Sequence, residues 1–530
     1  MTHWAGVPYT PGVAVQQNNQ FIMKRGKRSF VLPLAVFTIA STAAAQDPPV
    51  EGTPNKDAPA AVAPSEQTPA PEQGDNVDDL MSAQFAEHTE SRHQAVAQRK
   101  RVVAERVESV LSNFVEIGGY FRAGYGRNGQ GGPMSAFKAP GAASKYRLGN
   151  EAENYGELIL GKNMYLPGMF SSKAERPHGL DGPIARVQLR LSFFNPYDAH
   201  SSAASTQVGL PEAWAAIGNV FKAQPNLKFW AGTRFYRRHD IHIIDFFPWD
   251  MSGGGGGVED ITVGPIKFAL AWIGLGSTSG LSYVPQPQPE NRAGFSKSNF
   301  DFRVYDIPLL AGTLEAGLVY AHSQSGVDQD GNQAPDSHGF AFNLVHMVPN
   351  FLSKDGFNKF TFQYGLGAAK TFTSGFETFA QDGGTYIRPE DPGSYRFRVT
   401  ESFVASPSRY FSVGPVVMAQ ATQYSSDTRP QYWVSAGVRP IVHIHNHFNI
   451  AFEGGFDWVN DQEEDLEGSL LKLTVAPQIS VDRLFMSRPV IRAFFTYAHW
   501  TKELEGQVGG QDYLNLQDGF NWGAQMEAWW

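Results

Sequence analysis

Two stretches of this chain concentrate side chains able to grip a polar solute. In Ser144–Leu158, Arg147, Glu151, Glu153, Tyr155 and Glu157 share parity, while Leu148 and Leu158 fall on the other side. Read as a strand, whose side chains alternate between faces, this puts a guanidinium, carboxylates and a phenol ring on one face. Such a mixture suits a sugar, whose C–H faces stack on rings and whose hydroxyls need charged donors and acceptors. A generic polar wall with scattered tyrosines is the alternative use. Tyr120 with Arg122 repeats the pairing earlier in the chain.

The second stretch, Thr233–Asp250, packs Arg238, Asp240, Asp245 and Phe247 among further arginines, histidines and aromatic rings, and a glycine run, Gly253–Gly257, follows. That density of charge is unfit for a lipid-facing strand and predicts a loop folded into an interior as a constriction. His239, Asp240 and His242 are of metal-ligand type, as are His443, His445 and His447, which alternate as if on one strand face. Zinc favours histidines held by ordered partners, but histidines on a polar wall are commoner, and no metal is expected. The glycine run lacks a following Lys-Ser/Thr, so it is not a phosphate loop. Without a Gly-x-Ser-x-Gly or an acid pair at a meaningful spacing, catalysis has no support and no cofactor is expected.

The elements that position these residues read as membrane strands. The last eleven residues alternate: Phe520, Trp522, Ala524, Met526, Ala528 and Trp530 on one face, Asn521, Gly523, Gln525, Glu527 and Trp529 on the other. One apolar face and one polar face with an aromatic terminus is the pattern of a closing strand in a transmembrane β-barrel. Trp529 is the exception, an aromatic on the polar side. Similar alternation recurs in Gly119–Tyr125, Gly312–Tyr320 and Asn449–Trp458, with turn-forming clusters between such runs. Residues 114–530, at roughly 20–25 residues per strand and connection, make room for about 16–20 strands. A large soluble β-sandwich is the competing architecture.

Composition agrees with a barrel. Aromatics are 13% of the 530 residues and are spread along the chain, and glycines number 54, as turn-rich strands require. No apolar run outside the N-terminal region is long enough for a spanning helix. The net charge of −9 gives no sign of nucleic-acid binding. Cysteine is absent, which removes thiol catalysis, zinc–thiolate sites and disulfides together.

The N-terminal region reads as an export signal and a tether. Lys24–Arg28 is basic, Phe30–Ala40 is apolar but too short to span, and Ala43-Ala44-Ala45 offers a cleavage site before Gln46, so 23–45 is expected to be a signal peptide. Residues 1–22 do not fit ahead of such a signal, and Met23 is expected to be the true start. Export and the aromatic C-terminus count against a sandwich and point to a Gram-negative outer membrane. Residues 46–76, rich in Pro and Ala, read as an extended linker. Residues 77–112 lack Pro and Gly and suit a helix. Val96, Val103 and Val110 repeat at heptad spacing, yet Arg99 and Arg106 fall where a second apolar position belongs. A trimeric coiled coil and a solvated or partly disordered helix both remain open.

Ser144–Glu151, Arg234–Asp250, Phe357-Asn-Lys-Phe360, Ser487-Arg-Pro489 and Gly523–Trp530 resemble the maltoporin family of outer-membrane sugar channels. The resemblance covers about residues 114–530. It implies an all-β, eighteen-stranded trimeric barrel in the outer membrane that passes maltose and maltodextrins by facilitated diffusion, with a third loop folded inward. It also implies an aromatic slide of Tyr120, Tyr155, Phe357 and Trp529, and a polar track of Arg122, Arg147, Glu157, Arg238, Asp240 and Asp245. Several positions depart from the family pattern. Met486 stands where the slide has a tryptophan, Phe247 where the constriction has a tyrosine, and Pro211 where an arginine precedes Glu212. The loop from Asp198 to Val208 has no aromatic to lend a neighbouring subunit, and Ala136 and Ala152 replace the first-loop cysteines. The N-terminal extension is similar to that of sucrose porins, whereas Arg238 and Asp250 keep the charges that sucrose porins have lost. The pore residues thus favour maltose and maltodextrins over a broader oligosaccharide or sucrose pore, or a general diffusion porin. Residues 46–112 are free to bind peptidoglycan or a periplasmic partner.

Overall fold

The computed structural model describes residues 115–151, 153–165, 183–195, 207–276, 296–327, 333–334, 336–381, 384–387 and 390–530. The expected start, signal peptide, linker and N-terminal helix lie outside these residues, as do Ala152 and most of the loop from Asp198 to Val208.

Among the described residues, eighteen antiparallel strands form one sheet, from Glu116–Asn128 to Asp518–Trp529. The sheet closes on itself. Glu116–Asn128 pairs on one side with Asn154–Tyr165, Tyr120 opposite Glu157, and on the other with Asp518–Trp529, Tyr120 opposite Trp529. Closure leaves no row of unpaired backbone groups, the condition a sheet must meet to cross a bilayer. No described helix is long and apolar enough to cross a membrane. Every wall strand is paired to its neighbours in sequence order, so the barrel is a plain up-and-down meander. One end is joined by tight turns, such as those between Val263 and Ile266 and between Leu309 and Gly312, and the other by long connections such as 129–153 and 501–517.

The alternation read from the sequence is the alternation of the wall. In Val490–Trp500, Ile491, Phe495 and Tyr497 face outward while Arg492, Phe494, Thr496 and Trp500 are buried inside. The last strand follows the same rule: Phe520 and Trp522 are exposed, Asn521, Gln525 and Glu527 buried. Inward apolar residues are covered by the long connections. Met134, Phe137, Tyr146 and Leu148, from the first connection, cluster with Phe494, Trp500 and Tyr513. The segment after Lys228–Arg234 reaches two clusters: Ile241, Ile243 and Ile244 join the first, and Tyr236, Trp249 and Met251 join a second with Trp230, Ile273 and Phe372.

Two sequence expectations need correction. Ser144–Glu153 is not part of a strand; the second wall strand begins at Asn154. Residues 144–150 are held instead by side chains. Asn150 Nδ2 donates to the carbonyls of Phe137 at 2.9 Å and Tyr146 at 2.8 Å. At Gly149, φ is +69° and a Cβ would sit 2.0 Å from Thr496 Oγ1, so the loop turns against the wall where only glycine fits. Arg147 and Glu151 therefore enter the interior from a loop, Tyr155 and Glu157 from a strand. The glycine run, in turn, belongs to the wall: Gly253–Val263 is a strand between Lys228–Arg234 and Ile266–Gly276. A Cβ at Gly255 would lie 2.0 Å from the Trp272 carbonyl oxygen, so the bare backbone lets neighbouring strands approach.

Lys370, in the connection after Phe357–Leu366, is fully buried, and its Nζ has no hydrogen-bond partner among the described residues. Burial pulls its pKa down to about 8, partly countered by Glu377 and Glu390. A folded-state pKa below the unfolded one means the unfolded chain binds more protons between about pH 8 and the ordinary lysine value, so stability rises with pH across that window and the full penalty holds below it. Lys370→Met is expected to raise the urea midpoint at pH 7.5 by roughly 1–3 kcal/mol equivalent, and the gain to shrink by pH 10. An unchanged or lowered midpoint at pH 7.5 would show the ammonium to be solvated.

Candidate functional site

The interior face of the first two wall strands holds a network of paired charges. Arg122, on Glu116–Asn128, bonds Glu151 at 2.8 Å and Glu153 through its other terminal nitrogen. Arg147 donates from Nε to Glu151 at 3.0 Å and from a terminal nitrogen to Glu527 at 3.1 Å. Glu527, on the last strand, also accepts from Arg488 at 2.6 Å and Arg492 at 3.1 Å. Each of these side chains is at least nine-tenths buried. Burial alone would raise the Glu151 carboxyl; Arg122, Arg147 and Lys145 pull it well below the usual carboxylate range. Buried charges of this kind persist only when each is matched by partners.

Rings sit among these charges. Tyr120 and Tyr155 lie with centroids 5.9 Å apart. The Tyr120 hydroxyl accepts from Arg147 at 3.2 Å and donates to Glu527 at 3.3 Å. Tyr155 donates to Glu157, which takes Arg190 at 2.6 Å. Trp529 stands beside Tyr120 in the strand register, and the Arg488 guanidinium covers one face of its indole, 4.2 Å from a ring centroid. His242 meets Trp529 edge-on at 6.0 Å.

The segment from Phe235 to Ser252 supplies the opposing surface. It contains two short extended pieces, His239–Ile241 and Phe246–Trp249, joined by a 3-10 turn. Wall side chains hold its backbone: Lys359 donates to the Asp240 carbonyl at 3.0 Å, Gln363 to that of Pro248 at 2.9 Å, and Arg303 to that of Arg237 at 2.8 Å. The Arg147 amide donates to the Ile243 carbonyl at 3.2 Å. His242 lies between Arg147 and Arg488, with ring nitrogens 3.3 and 3.1 Å from their guanidinium nitrogens. Burial first, then the Arg147 charge, holds its pKa well below the ordinary histidine value, so this imidazole is neutral. Asp245 adopts a left-handed conformation, φ +48°, and its carboxylate comes within 3.9 Å of Arg122. Arg238 stacks on Phe235 at 3.7 Å and on Phe247 at 4.7 Å and approaches Asp250 at 3.7 Å.

Arg147, Asp240, Asp245 and Phe247, all singled out in the sequence, come together with Ile241, His242 and Phe246 around one closely packed crevice. Tyr120, Arg122, Tyr155 and Glu157 form the adjoining wall. Phe357, at the start of another strand, packs against the first cluster, as Phe246 and Met486 do.

Two features escaped the sequence reading, the bridging by Arg190 and the convergence on Glu527, and the reading of His443, His445 and His447 needs correction. Arg190 bridges Glu157 at 2.6 Å and Glu212 at 2.5 Å and so brings a guanidinium to the carboxylate that Pro211 precedes. Pro211 itself sits where the strand register slips between Arg190 and Ser192, a bulge that tolerates a residue without an amide donor. Glu527 lay on the polar face of the last strand, but alternation cannot reveal that three guanidinium groups converge on it. His443 ends its strand and turns its Nε2 to Ser412 Oγ at 2.7 Å, while His445 and His447 lie in the following turn, so the three do not share a strand face.

The family described as LamB porin matches residues 115–530. Solved structures with a related arrangement include the anion-selective porin from Comamonas acidovorans, at 8% identity and a TM-score of 0.38 over 78% of this chain and 99% of that one. Acinetobacter baumannii OccAB1 matches at 12% identity and a TM-score of 0.41 over 78% and 96%. Pseudomonas aeruginosa OccK1 matches at 12% and 0.39 over 79% and 99%.

Proposed function

The chain belongs to the LamB porin family, a family of outer-membrane channels, and from that premise we propose that it passes maltose and maltodextrins by facilitated diffusion. The observation that carries this reading is the meeting of the Tyr120 and Tyr155 rings with the paired charges of Arg122, Arg147 and Glu157. Rings offer stacking surfaces for the C–H faces of glucose units. Guanidinium and carboxylate groups have the donors and lone pairs that hydroxyls need, so a sugar can exchange hydrogen bonds with them as it moves while the charges remain paired with one another. Tight binding at every step would stall transit, and a row of moderate sites favours throughput.

In this proposal the segment from Phe235 to Ser252 is the constriction. Arg238, Asp240 and Asp245 extend the polar track there, and Phe247 supplies a ring without a hydroxyl. Trp529 and Phe357 serve as slide members. The Arg488 guanidinium already covers one face of Trp529, so a sugar there would meet a ring held in place by a neighbouring cation. Met486, in place of a tryptophan, stacks more weakly and widens the range of sugars accepted. The barrel assembles as a trimer surrounded by outer-membrane lipid, with signal peptide 23–45 removed and 46–112 in the periplasm, open to peptidoglycan or a periplasmic partner.

Single-channel recording with maltohexaose tests this. Concentration-dependent block of the open channel is expected, with weaker block by sucrose. Conductance that no oligosaccharide reduces would leave a general diffusion pore as the function.

A further inference from the structure

Among the described residues, one group of side chains has the composition and spacing of a metal site, and it lies apart from the interior network. His322 is the next-to-last residue of the strand Gly312–Ser323, and His338, the second residue of Ser337–Pro349, lies directly opposite it. Their rings stack with centroids 4.6 Å apart and planes 13° from parallel. Asp336 precedes the second strand, and one of its oxygens lies 2.9 Å from His322 Nε2 and 3.4 Å from His338 Nε2. One ligand atom from each residue falls within 4.8 Å of the others.

We propose that His322, His338 and Asp336 form a binding site for a divalent transition-metal ion of the zinc class. A tetrahedral zinc with bonds of about 2.0–2.2 Å places its ligand atoms about 3.3 Å apart. The two nitrogen–oxygen separations bracket that value, and turning one imidazole out of the parallel stack would let both in-plane lone pairs converge on an ion beside the carboxylate. The donor set, two imidazoles and a carboxylate, suits zinc, nickel or copper and is poor for calcium or magnesium, which take oxygen ligands.

The surroundings fit as well. His338 Nδ1 lies 2.6 Å from the Tyr320 hydroxyl, and the Tyr320 and His338 rings stack at 5.9 Å. With Nδ1–H donated to that hydroxyl, Nε2 presents its lone pair to the metal, the arrangement by which a neighbouring group orients a histidine ligand. Without an ion, the two imidazoles share a single carboxylate oxygen. All three residues are partly open to solvent, so water completes the coordination. Lying at the barrel end that carries the long connections, which in outer-membrane barrels faces outward, the ion would brace two adjacent strands at the rim.

Calorimetric titration of the EDTA-stripped, detergent-solubilised barrel with Zn2+ at pH 7.5 tests the proposal. One ion per chain is expected. His322→Gln and His338→Gln should each weaken that binding more than ~tenfold, and Tyr320→Phe should weaken it less. His443→Gln, at a buried histidine bonded to Ser412, is the control and should leave it unchanged. Heat-modifiable electrophoretic mobility confirms that each variant is folded. A wild-type protein that takes up no zinc, or a folded double variant His322→Gln/His338→Gln that binds as wild type does, would overturn the proposal.

Discussion

Glu527→Ala is expected to destabilise the barrel by roughly 3–5 kcal/mol. The carboxylate is the common partner of Arg147, Arg488 and Arg492, and it accepts the Tyr120 hydroxyl as well. It is 2% exposed. Removing it leaves three guanidinium groups buried around a void, and their mutual repulsion adds to the lost pairing. Glu527→Gln keeps the shape and one acceptor but not the charge, so it should fall between wild type and alanine. Urea unfolding of the refolded protein reads both. Since Arg488 and Arg492 would then lose their carboxylate and Arg147 would keep only Glu151, the alanine channel should also shift towards anion selectivity in reversal-potential measurements. A destabilisation under about 1 kcal/mol with unchanged selectivity would mean that water already screens these charges.

Tyr120→Ala is expected to weaken maltohexaose block by roughly ten- to a hundredfold, the equivalent of about 1.4–2.8 kcal/mol of binding. The ring is the member of the proposed slide that touches most of the site: Tyr155 on one side, Arg147 and Glu527 at its hydroxyl, Trp529 next to it in register. Tyr120→Phe keeps the stacking surface and removes only the hydroxyl bonds, so it should lose a small part of that effect. The contrast between the two separates stacking from hydrogen bonding. Equal block in wild type and a folded Tyr120→Ala channel would sink the aromatic role. The ratio of block to open-channel conductance is the readout, since the smaller side chain also widens the lumen.

How much of this could be read from the chain depended on whether the relevant contacts were local. Strand alternation in Phe520–Trp530 and Gly312–Tyr320 is local: each residue's face follows from its neighbours two positions away, and the closed wall bears it out. The shared parity of Arg147, Glu151 and Tyr155 looked equally local and misled, because Asn150 and Gly149 fold that stretch into a loop through contacts with Phe137 and Thr496. Glycines 253–257, read as the end of the charged loop before them, instead build a strand because both neighbouring strands press close.

The sequence by itself determined the barrel, its inside and outside, and most of the side chains that meet within it. Period-two patterning under an apolar outer solvent leaves few other architectures that satisfy the backbone. Only the tertiary structure decided the pairings. Closure brings Glu527 beside Arg147 and Tyr120, residues from opposite ends of the chain, and sets His322 against His338 across one strand pair. Pairing between distant charges depends on loop paths and strand register, and neither is written in the spacing of residues along the chain.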